Sequence, residues 1–431
     1  MLLNSSAAMT VRILVGWTLL LCACACRADG DGDGAEVDRL RLSGFGTLGI
    51  THGNAPVGWG FRREISQPAN GAATSADVDS RLGAQLNYTI NPQVELVGQV
   101  IATRRSPYAG NSDGLEWAFA AWRPNADLAL RVGRVNVDAF LMSDHRNVGF
   151  AYLYARPPVE FYASIPSSLD GADISRVWNQ DGTQWHAKAF AGRAHGGDLS
   201  QDARTEINSV LGAMLAREED GLLVRASVTS AKLATGPPAL RPLLDALAAF
   251  GALPVSEVAV QATALRGRLD SSGSRLVYST LGVSYERSDW VCAAELTRAF
   301  GHPTVRFSAG YASLGRRIGI VTLYGIVSRT FSPERPVTPP DWVAALTPAL
   351  GPSFAQQAQV VAVSAAFAVN KTRAEQNTIS LGTRWDLQPR LALKLQWDRV
   401  RIGANGGRLW ANSGLDAGHA NVASALLDFV F

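Results

Sequence analysis

Beyond its first 28 residues, this 431-residue chain lacks any apolar run of the roughly 18–20 residues that a membrane-crossing helix requires. If the chain enters a bilayer, it must do so as strands. Charge is scarce as well, at 18% of residues, and nearly balanced, with 40 Lys and Arg against 37 Asp and Glu. Removing residues 1–28 takes away Arg12 and Arg27, so 38 basic groups face 37 acidic ones and the net charge falls to +1. That balance offers no basic footprint for a nucleic acid. Of four cysteines, Cys22, Cys24 and Cys26 lie in the first 28 residues, leaving Cys292 alone and excluding an intramolecular disulfide framework. The six histidines, His52, His145, His186, His195, His302 and His419, fall in no nucleophile or metal motif such as GxSxG or HExxH. An enzyme is therefore not expected, nor is a metal or cofactor.

What is present begins with an export signal. Arg12, the apolar stretch 13–21 and the small residues ending near Ala28 read as a secretory signal over 1–28. A lipoprotein reading has only Leu21-Cys22-Ala23-Cys24 behind it, with Cys22 standing where a small Ala or Ser is expected. Residues 29–38 form an acidic, Gly-rich leader whose DGDGDG lacks the later ligands of a calcium loop, so a flexible linker is expected. One domain is then expected over 39–431.

From Leu40 onward, segments of roughly 9–14 residues alternate apolar and polar positions, the period of a strand with two unlike faces. Leu82, Ala84, Leu86, Tyr88 and Ile90 share one face, with Arg81, Gly83, Gln85, Asn87 and Thr89 on the other. After Asn91-Pro92, Val94, Leu96, Gly98 and Val100 repeat the apolar face opposite Glu95, Gln99 and Thr103. The same reading assigns apolar faces to Leu115, Trp117 and Phe119, to Leu128, Leu130 and Val132, to Trp185, Ala187 and Ala189, and to Leu381, Trp385, Leu393 and Trp397. Trp117, Trp185, Trp385, Trp397 and Tyr88 are expected in the aromatic girdles at the membrane interfaces.

Tight turns such as Asn91-Pro92 and Gln388-Pro389 contrast with long connections at 52–77, 137–170, 234–274, 332–357 and 403–421. Such asymmetry belongs to a transmembrane antiparallel β-barrel with short turns on one rim and long loops on the other. Sixteen or seventeen strand candidates fit before the end of the chain, and even numbers are the rule, so sixteen strands are expected and eighteen are the alternative. Helical spacing of Leu240, Leu243, Leu244, Leu247 and Phe250 predicts a short amphipathic helix over 240–253, with another over 342–350.

Open sheet edges cannot sit in hydrocarbon, so the last strand must pair with the first. That last strand, 422–431, carries Ala423, Ala425, Leu427, Phe429 and Phe431 on one face. It resembles the closing strand of the Gram-negative porins, whose terminal Phe and the aromatic two positions before it form the membrane-assembly signal; Phe431 and Phe429 match these. Residues 42–49, Asp79-Ser80-Arg81-Leu82-Gly83, Glu116-Trp117-Ala118-Phe119 and Arg131-Val132-Gly133-Arg134 also resemble proteobacterial porins and porin-like proteins. The resemblance implies the outer membrane, reached through the periplasm. It also implies the barrel-assembly machinery, surrounding lipid and lipopolysaccharide as partners, and a homotrimer.

A lipid-facing apolar side leaves the polar side to line a water-filled lumen. Inward candidates are Arg41, Arg81, Arg131, His186, Lys188, Arg225, Arg384 and Lys394, set against Glu95, Glu116, Glu295 and Asp398. The resemblance further implies that 137–171, after the fifth strand, is an inward-folded constriction loop. It carries Asp144, His145, Arg146, Arg156, Glu160 and Asp170, with Pro157-Pro158 stiffening its middle. Loop acids facing Arg81 and Arg131 would then set a transverse field. The expected function is a porin for passive diffusion of small hydrophilic solutes, weakly anion-preferring or unselective. The alternative is a substrate-specific diffusive channel for a sugar, phosphate or organic acid, with an outer-membrane enzyme or a structural or adhesive barrel as rivals.

Overall fold

Alternation in the sequence becomes a closed wall. The computed structural model describes residues 39–68, 73–106, 114–163, 165–197 and 204–431, so the signal and leader over 1–38 lie outside the described residues. Sixteen strands form the barrel: β1 (Leu40–Gly53), β2 (Arg81–Asn91), β3 (Val94–Thr103), β4 (Leu115–Trp122), β5 (Leu128–Asn136), β6 (Ser168–Gln180), β7 (Thr183–Gly197) and β8 (Arg204–Glu219); then β9 (Leu222–Leu233), β10 (Arg275–Arg287), β11 (Trp290–Phe300), β12 (Phe307–Ile318), β13 (Val321–Phe331), β14 (Ala374–Gln388), β15 (Leu391–Gly407) and β16 (Gly418–Val430). Each is antiparallel to its neighbour, and β16 returns to β1 from Phe45↔Val430 to Gly53↔Val422, so every edge is paired.

Closure depends on two glycines. Gly46 and Gly44 stand opposite Phe429 and Phe431, and a Cβ on either would lie 2.3 or 2.2 Å from the facing ring. The two rings stack 6.4 Å apart on the outer face, and Phe431 exchanges two 2.9 Å backbone hydrogen bonds with Gly44.

Outward positions are apolar and exposed, Leu82, Leu86, Leu96, Leu281, Leu381 and Leu395 among them. This is the band a bilayer would cover. Tyr88, Trp122, Trp290 and the stacked pair Trp178 and Trp185, 6.2 Å apart, lie on the outer face near the short turns. Asp181-Gly182 and Asp220-Gly221 make two of those turns with both residues at positive φ, the geometry a two-residue hairpin favours.

The expectation that Trp117 and Phe119 face lipid is corrected. Between Val100↔Leu115 and Gln99↔Trp117 the register shifts, leaving Glu116 as an extra residue. That bulge inverts the alternation and turns Trp117, Phe119 and Ala121 inward, where all are buried.

The opposite rim carries the long connections. Residues 137–163 and 165–167 turn into the barrel; Ser168, Leu169, Asp170 and Gly171, counted with this loop from sequence, belong to β6. The loop includes a single helical turn, α1 (Val159–Tyr162). Two helical hairpins cover this rim, α2 (Arg241–Gly251) with α3 (Ser256–Leu269), and α4 (Trp342–Leu350) with α5 (Pro352–Lys371). They share a core of Leu247, Val258, Ala262, Leu265, Trp342, Leu346, Ala358 and Ala362, tied by a 2.8 Å hydrogen bond from Trp342 Nε1 to Gln261 Oε1. α3 and α5 were not expected. They replace the ends of connections read as irregular, and the second connection extends to residue 373 rather than 357.

Candidate functional site

The inward loop does not lie along one side of the lumen; it bonds to walls on opposite sides. Arg156 is its central anchor. Its Nε and Nη2 donate to the carboxylate of Asp79 at 3.0 and 2.7 Å, and its Nη1 donates to Asp398 Oδ2 on β15 at 2.8 Å. Nη2 also reaches Ser424 on β16. Burial alone would raise the Asp79 carboxyl, but the Arg156 charge and the hydrogen bonds from Arg156 and Thr51 hold it below the usual range. Glu160, on α1, accepts from Ser328 on β13 at 2.7 Å and from Gln376 and Thr378 on β14.

Carbonyls of the loop are gathered by wall cations. Lys394, fully buried, donates to the carbonyls of Gly149, Tyr152 and Tyr154 at 2.6, 2.7 and 2.8 Å and pairs with Asp428 at 2.9 Å. Arg384 donates to Phe150 and Tyr152 carbonyls at 2.9 Å, and its other partner is Asp386. Arg81 donates to the Asn147 carbonyl at 2.5 Å and to the Tyr152 hydroxyl at 2.8 Å. Across the lumen, Leu141 N–H donates to Glu295 on β11 at 2.8 Å, and Asp138 pairs with Lys188 on β7 at 3.1 Å and with Arg225 on β9. Phe140, Phe161 and Tyr162 pack with Tyr311 between loop and wall, Phe140 and Phe161 lying 4.8 Å apart edge to face.

These partners change the role expected for the sequence candidates. Arg131 is matched by Asp173 of the neighbouring strand at 2.5 Å, not by a loop acid. Glu95 pairs with Arg123 at 3.0 Å and accepts from Asn87 at 2.7 Å; Glu116 pairs with Arg105 at 3.3 Å and accepts from Asn147 at 3.1 Å. Asp144 accepts from Asn136. Arg81, Arg131, Glu95, Glu116, Arg156, Glu160, Lys188 and Lys394 are all buried. Arg81 is held to loop oxygens and Arg131 to the neighbouring strand, and neither pairs with a loop carboxylate among the described residues. Asp79, Asp138, Asp173 and Asp428, which complete these networks, were not singled out from sequence. Two had a signal, Asp79 in the Asp79-Ser80-Arg81 motif and Asp428 by its place on the inner face of the last strand.

Open space lies on the loop-rim side of this packing. A cavity of about 890 Å³ is floored by the loop and bounded by the rim ends of β5 to β10 and by residues of the two helical hairpins. Its walls include Val137, Ile165, Leu240, Tyr278, Phe367 and Trp410. Seven basic side chains, Arg62, Arg105, Arg134, Arg146, Arg193, Lys371 and Arg408, meet two acidic ones, Glu64 and Asp170. Both acids are engaged, Asp170 with Arg134 at 2.8 Å and Glu64 with Arg146 at 3.9 Å. Burial pushes the Glu64 carboxyl up, but the charges of Arg146, Arg105 and Arg63 outweigh it and keep Glu64 below the usual carboxylate range. The chamber is therefore cationic with apolar walls.

No family model and no curated protein matches the sequence. Among solved structures, an anion-selective porin from Comamonas acidovorans aligns with a TM-score of 0.51 at 12% identity, over 91% of this chain and 99% of that one. The fold is that of a bacterial outer-membrane porin. Vibrio cholerae OmpT aligns at 0.49 with 10% identity over 91% and 98% of the two chains. Salmonella typhi OmpF, solved with daunomycin, aligns at 0.49 with 11% identity over 91% and 97%. At such identities the likeness is one of architecture, and the side chains that decide function are this chain's own.

Proposed function

We propose that this chain is an outer-membrane channel for passive entry of small anionic solutes, held narrow by its inward loop. The observation that carries the reading is the chamber on the loop rim, where basic side chains outnumber acidic ones by seven to two above a lumen already occupied by the inward loop. Cations around a confined aqueous space concentrate anions and exclude cations through short-range Coulomb terms. The buried loop-to-wall network argues against a wide general pore. The reading sets the short turns in the periplasm and the loop rim outside. It includes no catalytic step, and it takes lipopolysaccharide and the assembly machinery as partners and a homotrimer as the working form.

Planar bilayers under a potassium chloride gradient test it. The reversal potential should report anion preference, with single-channel conductance well below that of an open sixteen-stranded pore. Cation preference, or a large unselective conductance, would defeat the proposal. Crosslinking in native membranes tests the trimer.

A further inference from the structure

Three of the chamber's seven cations are gathered on one segment and, like Arg193, have no carboxylate partner among the described residues. These are Arg62, on the β1–β2 connection, Lys371, in the last turn of α5, and Arg408, just past β15. They are brought together by one short segment, 408–413. Arg62 donates from Nη2 to the Arg408 carbonyl at 2.9 Å and from Nε to the Leu409 carbonyl at 3.2 Å, and Lys371 donates to the Ser413 carbonyl. The Arg408 guanidinium sits 5.8 Å from the Phe307 ring, and its Nε is buried with no hydrogen-bond partner. The Arg408 charge acts on Arg62, and the Arg62 charge acts on Lys371. Burial first, and then the neighbouring charge, lowers Arg62 and Lys371 below their usual ranges.

Cations gathered on one sheltered segment with no carboxylate beside them favour an anion in the space they line. Carbonyl oxygens orient Arg62 and Lys371 without neutralising their charge. Trp410 and Phe367 stand beside them in the cavity wall, and a volume of about 890 Å³ suits a small organic molecule.

We propose that Arg62, Lys371 and Arg408 form a binding site for the carboxylate of a small amphipathic organic anion, whose apolar body lies against Trp410 and Phe367. This deepens the channel reading by naming the solute class, and rests on it only for the solute's route. A guanidinium can hold a carboxylate through two parallel N–H donors, and Lys371 adds a point charge.

Equilibrium dialysis of the full chain in detergent micelles, with radiolabelled benzoate as the probe, tests the site without requiring conductance. Wild type should bind benzoate saturably at one site, more weakly as salt is raised, while glucose and benzylammonium do not compete. Arg408→Gln and Lys371→Gln should each weaken binding at least tenfold. Arg401→Gln makes the same charge change on an exposed position of β15 and should leave binding unaltered. Heat-modifiable migration on gels reports whether each variant is folded, and Lys371→Gln, which removes only a half-buried ammonium, keeps the test available if Arg408→Gln misfolds. Competition by inorganic phosphate equal to that by benzoate would overturn the organic part of the assignment. Absent binding, or binding that survives both substitutions, would overturn the site. Benzoate bound without any anion conductance would sink the channel reading and leave the site standing.

Discussion

At the scale of single residues, the interior is organised by ionic groups that have found partners far away in the chain. Arg156 is 2% exposed and lies between Asp79 and Asp398, both buried. Removing it strands two carboxylates in a dry site, which costs about 3–5 kcal/mol. Arg156→Ala should therefore lower the urea midpoint of the refolded barrel, followed by tryptophan fluorescence, and raise single-channel conductance as the inward loop loosens. An exposed pair offers the contrast. Arg104 and Asp77, at 40% and 57% side-chain exposure, are separated by 2.7 Å, yet Arg104→Ala should change stability by less than about 1 kcal/mol. Alternation in the sequence placed Arg81, Arg131 and Lys394 on the inner face, and the structure has them there. It could not say that Lys394 would meet three loop carbonyls, because those acceptors belong to every residue alike and leave no mark in composition.

At the scale of elements, strands were legible and helices only partly so. Strands with polar inner and apolar outer faces announce themselves through a period of two. α4 was read to its ends and α2 to within two residues, because each carries Leu, Phe or Trp on a helical stripe. α5 was missed because its buried stripe is Ala355, Ala358, Ala362, Ala365 and Ala366, which has the helical period but no bulk to draw notice. α3 hides in the same way, with Val258, Ala262, Leu265 and Leu269 at spacings of four, three and four. The inversion on β4 has a different cause: a bulge at Glu116 depends on how β3 and β4 are paired, and a pattern that reads either strand alone cannot register it. The meeting of first and last strands makes its own prediction. Gly46→Val would put methyl groups where the Phe429 ring lies, so it should slow barrel closure and lower the melting temperature, read as the fraction of heat-modifiable protein after refolding.

At the scale of the whole molecule, the barrel is a cup whose floor is its own loop and whose rim is built up by two helical hairpins. The chamber lies where these parts meet, and its Arg62, Lys371 and Arg408 come from separate connections. Lys371 supplies a pH dependence there. Its folded-state proton affinity is lowered, by burial first and by Arg62 second, so its ammonium is lost at a lower pH than an ordinary lysine near ~10.4. Benzoate binding should thus be constant at neutral pH and fall as pH rises through the lowered value, with Arg62, lowered to about 10, adding to the decline at the alkaline end. In Lys371→Gln the decline should begin at higher pH, and titration of binding between neutral pH and the alkaline limit of the micelle checks it.

Sequence by itself determined that this chain makes a closed, membrane-facing β-barrel. Alternation acts within each strand, the turn residues act across two or three positions, and an unpaired edge in lipid costs too much to remain. Only the tertiary structure decided what fills the barrel and what remains open. Arg156 and Asp398 are 242 residues apart, and the residues gathered around Arg408 come from three connections. Such contacts exist only after sixteen strands have closed in one register, since closure brings opposite walls within reach of a single loop.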